Sequence, residues 1–508
     1  MSQLPSARSV ERSPGNDRLR SLAVERMPRL TETEFGNLNY QAEITARLKN
    51  STFFVSDTEI HQNRIPNSEA KEWARRQDEY IADREMILVE GYIGPDPGFR
   101  TACQMFIEAD QPNIAAMQSQ LYFPADDAWD PEFTVIYTPG LPAPGKPDDR
   151  LIIVDLENWT TRVFGSDYFG ESKMGGLRMW NRLVYDRGGL ALHAGLKVYP
   201  ADATRSGKEE SMLIIGLSGT GKTTTTFRQQ AGSLPVQDDF VALMPGGVVH
   251  TTEAGCFAKT YGLDPDDEPT IYGGTTRPDA WLENVAVGDD GKVDFFDTSY
   301  TANGRSTFPL ANIRHRDPSN VPNASYLLIL NRSDHVIPAV ARLKTAQIPA
   351  YFMLGETKGT SAGGVAEAGK SLRVPGTNPF FFNDDALQGN RLIELAASMP
   401  DLEAYVLNTG RVGGEGADSK KVTIGDSSAI VQGIVAGTIE WETDPDFGYE
   451  IAQSVPGVDD SDLLNPAEMY RRQGRGSEHQ AMVERLHNER RGYLAGFDKL
   501  DPSVLAGL

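Results

Sequence analysis

A glycine-rich stretch at residues 216–223 has the residue types and spacing of a phosphate-binding loop. Its sequence, GLSGTGKT, fits the pattern G-x-x-x-x-G-K-S/T, in which glycines let successive backbone N–H groups face the phosphates. Lys222 adds a positive charge at the β- and γ-phosphates, and the Thr223 hydroxyl can bind Mg²⁺. An apolar strand pattern precedes the loop and a helical pattern follows it, as the motif requires. The residues expected to contact a nucleotide here are Gly216, Leu217, Ser218, Gly219, Thr220, Gly221, Lys222, Thr223 and Thr224.

Three further residues have side chains of the types that bind metal ions in proteins. Asp238 and Asp239 follow the loop by about 15 residues, and carboxylates placed in this way beside a P-loop usually attend the metal ion. Adjacent strand residues point to opposite faces, so one carboxylate can bind directly and the other through water; a solvated turn is the alternative. His193 lies within an apolar strand pattern, where a buried structural histidine is the alternative to a metal ligand. These residues by themselves indicate a kinase-like P-loop enzyme.

The elements that must position these side chains alternate between strands and helices. Apolar runs at 134–140, 150–159 and 189–200 predict strands, and helical spacing predicts a helix over 176–189. After the loop, many short apolar runs are bounded by turns, which favours a mixed α/β fold over a pure doubly wound sheet. An amphipathic surface helix is predicted over 478–497.

The length of 508 residues predicts more than one domain, because single cores rarely grow beyond about 300 residues. We predict a disordered tail at 1–30, an N-terminal domain at 31–205, a P-loop domain at 206–440 and an acidic helical extension at 441–508. The tail prediction rests on its mixture of Arg, Ser, Pro and Glu without an apolar stretch.

Composition narrows the classes of partner. The formal net charge of −22 disfavours nucleic acids and anionic membranes as partners. We find neither a run of about 18 apolar residues nor a signal peptide, and two cysteines, Cys103 and Cys256, cannot form a disulfide framework. The expected location is therefore the cytoplasm. The acidic surface fits a salt-adapted host or an ordinary acidic enzyme equally well.

Longer segments resemble the ATP-dependent phosphoenolpyruvate carboxykinase family. The P-loop string IIGLSGTGKTT is similar to the family's kinase loop, whereas the GTP-using branch carries a different loop that contains cysteine. The segments QDDF, EAGCFAKTYGLDPDDEPTIY, EAYVLNTGRVGGEG and KKVTIGDSSAI resemble those that follow in the family, and TARLKNSTFF, GSDYFGESKMGG and ALHAGL resemble those that precede. The resemblance covers nearly all of the chain beyond the tail. It implies a two-lobed mixed α/β fold with the P-loop in the C-terminal lobe and substrate binding in the N-terminal domain.

The resemblance also implies an activity, namely conversion of oxaloacetate and ATP to phosphoenolpyruvate, ADP and CO₂ in gluconeogenesis, by a monomer or small homo-oligomer. The implied cofactors are ATP, Mg²⁺ and Mn²⁺. The implied roles are Arg47 and Tyr168 on the substrate carboxylates, Lys173, Lys222 and Arg305 in catalysis, His193 and Asp239 on Mn²⁺, Thr223 and Asp238 at Mg²⁺, and Lys259, Glu268, Arg305, Lys421 and Ser427 around the nucleotide.

Several positions depart from the family pattern. Met174 stands where the family has a metal-binding lysine, although Lys173 is adjacent, and Lys421 stands where an arginine is usual. Ala46 precedes Arg47 where a glycine is normal, and the stretch at 355–370, placed where the family has its lid, is longer. Two other functions therefore stay open: a kinase on this scaffold that acts on another metabolite or protein, and a non-catalytic ATP-binding protein.

Overall fold

A computed structural model describes residues 4–217, 219–358, 371–414, 416 and 418–508. The elements up to residue 186 are β1 (Ser9–Arg12), α1 (Asn16–Arg26), β2 (Leu30–Glu32), β3 (Leu38–Tyr40), β4 (Thr52–Val55), β5 (Arg64–Ile65), α2 (Asn67–Ile81), β6 (Glu85–Ile93), β7 (Thr101–Glu108), α3 (Pro112–Leu121), β8 (Phe123–Pro124), β9 (Phe133–Thr138), β10 (Leu151–Asp155), β11 (Thr160–Phe164) and α4 (Phe169–Asp186).

The second part of the chain carries shorter strands. Its elements are β12 (Leu190–Tyr199), β13 (Glu210–Ile215), α5 (Lys222–Phe227), β14 (Leu234–Gln237), β15 (Phe240–Leu243), β16 (Val249–Thr251), β17 (Gly255–Lys259), α6 (Pro269–Thr275), β18 (Trp281–Glu283), β19 (Ala286–Val287), β20 (Val293–Asp294), β21 (Arg305–Pro309), β22 (Ala324–Asn331), β23 (Val340–Leu343), α7 (Ile348–Leu354), β24 (Glu356–Lys358), β25 (Ser371–Arg373), α8 (Ala386–Ala397), β26 (Glu403–Asn408), β27 (Arg411–Val412), β28 (Lys420–Lys421), α9 (Ile424–Ala436), β29 (Glu440–Thr443), β30 (Glu450–Ser454), α10 (Pro466–Arg472), α11 (Gly476–Leu494) and α12 (Pro502–Ala506).

The first sheet follows the order β1-β6-β7-β9-β11-β10-β4-β5, with β8 paired to β6. The strands predicted at 134–140 and 150–159 are confirmed as β9 and β10, and the helix predicted at 176–189 is the second part of α4. Every residue of β9 is buried, and α4 packs on it through Gly175, where an added Cβ would lie 3.1 Å from the Val135 methyl groups. This close packing fixes the helix that carries Tyr168 at its start.

The prediction of a disordered tail at 1–30 is wrong for residues 4–30. Strand β1 pairs in parallel with β6, and α1 buries Leu19, Leu22 and Ala23. Their i, i+3, i+4 spacing forms an apolar stripe that the surrounding charged residues obscure in composition. Asn16 also accepts a hydrogen bond of 2.8 Å from the Trp281 indole N–H. Residues 1–3 lie outside the described part of the chain.

The largest sheet positions His193 and the strand that leads into the P-loop. The ten-stranded sheet has the order β16-β15-β12-β13-β22-β26-β23-β30-β29, with β14 paired to β12. It therefore sets β12 beside the strand that leads into the P-loop. The pairing of β12 with β15 places His193 opposite Phe240, next to the Asp pair. The predicted mixed α/β fold class is confirmed.

A third sheet joins a segment near the start of the chain to a segment from its middle. Its order is β17-β21-β18-β3-β2, so strands from residues 30–40 extend a sheet built from residues 255–309. The sheet does not follow the predicted boundary at residue 205, and the division into domains stays a prediction. Within the described residues, no helix is long and apolar enough to cross a membrane.

Candidate active site

The loop predicted to bind phosphate is formed by one continuous stretch of chain. Strand β13 ends at Ile215 and α5 begins at Lys222. Gly219 and Gly221 have φ angles of +85° and +90°, a conformation that side chains with a Cβ rarely adopt. At Gly195 on β12, a Cβ would lie 1.9 Å from the Thr226 hydroxyl, so this glycine allows α5 to pack tightly on the sheet. Ser218 lies outside the described residues.

A cavity of about 570 Å³ opens at the end of this loop, and we call it the central cavity. It brings together segments from residue 47 to residue 380. The predicted site residues that line it are Arg47, Tyr168, His193, Leu217, Gly219, Gly221, Lys222, Thr223, Thr224, Asp238, Asp239, Lys259, Glu268 and Arg305. Met174 lines it as well.

Asp239 is the electrostatic centre of this cavity. Its Oδ1 lies 2.7 Å from Lys222 Nζ and 2.9 Å from His193 Nε2, and its Oδ2 lies 2.8 Å from Lys173 Nζ. Burial raises the pKa of Asp239, but the Lys173 and Lys222 ammonium groups outweigh it and hold that pKa well below the usual range. Asp239 is therefore ionised, and a phosphate group would compete with it for Lys222.

The orientation of His193 suits a cation between it and Asp239. Nδ1 of His193 lies 3.0 Å from the Thr377 carbonyl oxygen, which can only accept, so Nδ1 carries the proton. Burial lowers the pKa of His193 and favours the neutral ring. With Nδ1 protonated, the Nε2 lone pair of the neutral ring can bind a cation beside the Asp239 carboxylate, and a carbonyl behind a ligating histidine is the usual support at a metal site. Imidazole nitrogen with carboxylate oxygen is a donor set that fits Mn²⁺.

Asp238 adds a second acceptor beside the loop. Its Oδ1 is buried and has no hydrogen-bond partner among the described residues, and burial raises its pKa. An unpaired buried carboxylate oxygen is costly unless a ligand satisfies it. Within the described part of the chain, no group of three or more His, Cys, Asp or Glu side chains is arranged to hold a metal ion. A metal here therefore needs water or substrate to complete its coordination.

Lys173 and Met174 occupy different surroundings although they are adjacent. Met174 lines the central cavity, whereas the buried Lys173 ammonium lies between Asp239 and Glu253, at 2.8 and 3.0 Å. Neighbouring helix positions point about 100° apart, so Lys173 approaches Asp239 from the protein interior. Despite burial, these two carboxylates raise the pKa of Lys173, which stays protonated.

Asn303 joins Tyr168, Arg305 and the segment before Arg47. We call this part of the central cavity the carboxylate side, after the substrate groups that it is predicted to bind. Asn303 Nδ2 donates to Tyr168 Oη at 3.3 Å and to the Thr45 carbonyl oxygen at 2.6 Å, and its Oδ1 accepts from Arg305 Nη2 at 2.9 Å. One amide thus orients the tyrosine, the arginine and the segment that precedes Arg47. The Arg305 Nε is buried and unpartnered among the described residues, which leaves a donor for an anionic ligand.

Two acidic residues that the sequence analysis missed hold the Arg47 segment. Asp167 accepts hydrogen bonds from the backbone N–H groups of Glu43 and Ile44 at 2.7 and 3.1 Å. Glu171, whose side chain is fully buried, accepts from the Leu48 N–H at 2.7 Å and from Arg178 Nη2 at 2.9 Å. The only signal was a spacing of seven residues between Glu171 and Arg178, which places both on one helix face.

An outer cavity of about 730 Å³ adjoins the central cavity, and Thr224 and Glu268 line both. Glu268 accepts a hydrogen bond from the Thr224 hydroxyl, and burial raises its pKa. Lys259 lies between Tyr261 and Arg305; burial, with the Arg305 charge, lowers its pKa to about 8.

Some predicted residues lie outside these cavities. Lys421 and Ser427 line neither cavity among the described residues, although Ser428 lines the outer one. Gly216 and Thr220 belong to the loop but do not line the central cavity, and the Thr220 hydroxyl donates to the Leu217 carbonyl oxygen at 2.7 Å. Residues 359–370 of the stretch likened to the family's lid lie outside the described part of the chain.

Comparisons with known proteins agree with the geometry. A family model described as phosphoenolpyruvate carboxykinase matches residues 8–461. The chain is 32% identical to a phosphoenolpyruvate carboxykinase (ATP) of Aeropyrum pernix over 432 residues, which cover 82% of each chain. It is 30% identical over 395 residues to one of Rhodopseudomonas palustris and 29% identical over 401 residues to one of Bradyrhizobium diazoefficiens, each covering 75% of this chain and 71% of the relative. The predicted resemblance is confirmed, and the chain belongs to the ATP-dependent phosphoenolpyruvate carboxykinase family.

Proposed function

We propose that this chain catalyses the ATP-dependent conversion of oxaloacetate to phosphoenolpyruvate, ADP and CO₂, in the direction of gluconeogenesis. The observation that most supports the proposal is that Arg47, Tyr168 and the loop residue Lys222 all line the central cavity. Carboxylate recognition and phosphoryl transfer can thus take place on one bound substrate.

The carboxylate side performs the first step. Arg47 and Tyr168 hold the oxaloacetate carboxylates, with the guanidinium giving a charge-assisted contact. The bond between C3 and C4 of oxaloacetate breaks, C4 leaves as CO₂, and the electron pair forms the enolate of pyruvate. Arg305, oriented by Asn303, faces the same space and stabilises the negative charge.

The phosphate side performs the second step. The enolate oxygen attacks the γ-phosphorus of ATP in line, and ADP leaves with the bridging oxygen. Lys222 exchanges its contact with Asp239 for the β- and γ-phosphates, and Arg305 shares the charge of the transferring group. Loop N–H groups at residues 216–221 hold the phosphates.

Divalent cations are part of the proposal. His193 and Asp239 would hold Mn²⁺, and Thr223, with Asp238 nearby, would hold Mg²⁺ with ATP. When bound, these ions supply positive charge beside the enolate oxygen and the transferring phosphoryl group. Lys173 helps to keep Asp239 ionised and oriented for this role.

The nucleoside of ATP would lie toward the outer cavity. Glu268 and Lys259 line the central cavity, and Glu268 also lines the outer cavity. We assign these two residues to ribose and phosphate contacts. Lys421 and Ser427 remain candidates for the adenine side on the strength of the family resemblance. Small-molecule substrates are the proposed partners, in the cytoplasm, for a monomer or small homo-oligomer.

The reverse reaction gives a specific test. Purified protein is incubated with phosphoenolpyruvate, ADP, Mg²⁺ and Mn²⁺, and ATP is measured with luciferase with and without added bicarbonate. We expect ATP to form only with bicarbonate, since carboxylation accompanies phosphoryl transfer. ATP formation without bicarbonate, with pyruvate as the product, would overturn the proposal.

A kinase that acts on another acceptor is the second candidate. Met174 favours it, because a thioether is a poor ligand for Mn²⁺ and this side chain lines the central cavity. In that case ATP would bind with normal affinity but oxaloacetate would not affect ATP hydrolysis. The same luciferase assay, run in both directions, separates the two functions.

A further inference from the structure

A third cavity adjoins the central cavity behind Arg47 and Phe380. It has a volume of about 370 Å³ and shares Arg47, Pro379 and Phe380 with the central cavity, whereas Lys222 and Asp239 line only the central one. We call it the side cavity. Because Arg47 faces both cavities, an occupant of the side cavity and the substrate would draw on the same guanidinium group.

The side cavity is cationic although the whole chain carries a formal net charge of −22. Arg47, Lys49, Arg178 and Arg373 line it, and Asp385 is the only acidic residue among its described lining residues. Burial raises the pKa of Asp385 to about 6, which weakens its opposing charge below that pH. A concentration of like charges in an acidic protein favours an anionic ligand.

The charges of the lining are unequally compensated. Arg373 forms an ion pair with Glu356 at 2.9 Å. Arg178 pairs with Glu171 through Nη2, but its Nη1 is buried and has no hydrogen-bond partner among the described residues. The Arg178 side chain is only 6% exposed. A buried guanidinium N–H group without an acceptor is costly, and an anion in the side cavity would remove this cost.

Aromatic side chains form much of the remaining wall. The guanidinium carbons of Arg47 and Arg178 lie 4.9 and 6.0 Å from the ring centroid of Phe380, and Phe54 and Phe381 also line the cavity. Guanidinium groups bind carboxylates in a bidentate manner, whereas aromatic walls favour a carbon skeleton over a bare inorganic anion.

We propose that the side cavity binds a small organic dicarboxylate, at a site separate from the one that holds the substrate for phosphorylation. One carboxylate pairs with Arg47 and Arg178, and the carbon chain packs on the phenylalanines. Binding itself does not depend on the proposed function. One consequence does depend on the proposed function. When the side cavity is occupied, the KM for oxaloacetate should rise while the KM for ATP stays the same, because the occupant withdraws Arg47 from the substrate.

The test uses succinate as the probe in a calorimetric titration of the full chain at constant ionic strength. The variants are Lys49→Ala combined with His61→Ala, which changes exposed residues of the side cavity only, and Tyr168→Phe, which changes the central cavity only. We expect one succinate per chain. The double variant should weaken binding by about fivefold, the loss expected from removing one exposed charge and one exposed polar side chain, while Tyr168→Phe should stay within about twofold of the wild type.

Each other outcome overturns the proposal. Absence of succinate binding up to high millimolar concentration would show that the cavity takes no dicarboxylate. Weakening by Tyr168→Phe but not by the double variant would place succinate in the central cavity. Inorganic phosphate that binds as tightly as succinate, with the same response to the double variant, would identify a general anion site. None of these results bears on the bicarbonate-dependent assay. The proposed dicarboxylate site and the proposed catalytic function can therefore fail independently.

Discussion

The two sides of the central cavity are built in different ways. The phosphate side comes from one stretch between Glu210 and Asp239, in which strand, loop, helix and strand follow each other directly. The carboxylate side takes Arg47, Tyr168 and Arg305 from three distant parts of the chain and ties them through Asn303, Asp167 and Glu171. A local motif therefore identifies one side, whereas buried polar contacts over long sequence separations make the other.

This difference has an energetic consequence. Changes on the phosphate side should remove chemistry without moving neighbouring residues, because backbone geometry holds the loop. Changes in the support of the carboxylate side should misplace substrate residues that remain present, since buried hydrogen-bonded networks lose more than one contact when a member is removed.

The largest effect is expected for Lys222→Ala. Lys222 is the only positively charged residue in the sequence of the loop at 216–223. Its loss should therefore lower kcat by about a thousandfold or more. Lys292→Ala, which changes an exposed lysine paired with Asp290, is the matched control and should leave kcat unchanged. A Lys222→Ala enzyme within tenfold of the wild type would show that the loop is not the phosphate site.

Glu171→Gln tests the support of the carboxylate side. Loss of the charge leaves Arg178 unpaired and loosens the Leu48 N–H contact, so Arg47 should be misplaced. The KM for oxaloacetate should rise about tenfold while the KM for ATP changes by less than about twofold. Arg47→Ala should raise the KM for oxaloacetate still further, again without a matching change in the KM for ATP.

The control for Glu171→Gln is Glu43→Gln, an exposed residue of the same segment. It should leave both KM values unchanged. An equal rise in both KM values for Glu171→Gln, with reduced thermal stability, would indicate a general folding defect instead of a local positioning role.

Met174→Lys tests the junction of the two sides. A lysine in the cavity, if a nearby dication displaces its proton, adds a nitrogen ligand, so Mn²⁺ should bind about tenfold more tightly. The measurement is a titration followed by electron paramagnetic resonance of free Mn²⁺. Lys173→Ala should weaken this affinity without abolishing it, because Lys173 supports Asp239 from the interior and is not itself a ligand. Loss of Mn²⁺ binding in Lys173→Ala, with no effect of Met174→Lys, would make Lys173 the ligand.

The smallest expected effect is a pH dependence of ATP binding through Lys259. Its pKa is lowered to about 8, so the ammonium is charged below pH 8 and loses its charge as the pH rises through that value. The Kd for ATP should rise by about threefold between pH 7 and pH 9. Lys259→Arg keeps its charge over this range and should abolish the increase; an identical profile in both proteins would exclude Lys259 as its source.

The sequence predicted the order of strand, loop and helix around residues 216–223 because these elements are contiguous, whereas the binding of phosphate there stays a prediction. His193 was ambiguous in its apolar strand until the pairing of β12 with β15 brought it to Asp239. Glu171 was missed because the predicted helix began at residue 176 and its partner, Leu48, is distant in sequence. The ordered residues 4–30 were missed because composition conceals a three-residue apolar stripe, and only tertiary packing gives that stripe a partner.

The central claim is that carboxylate and phosphate chemistry meet on one substrate in this cavity. The most direct measurement follows phosphorus resonances during incubation of the wild-type chain with oxaloacetate, ATP, Mg²⁺ and Mn²⁺. The account predicts that phosphoenolpyruvate and ADP appear in equal amounts as ATP disappears. ADP that forms without phosphoenolpyruvate, in the presence or absence of oxaloacetate, would contradict it.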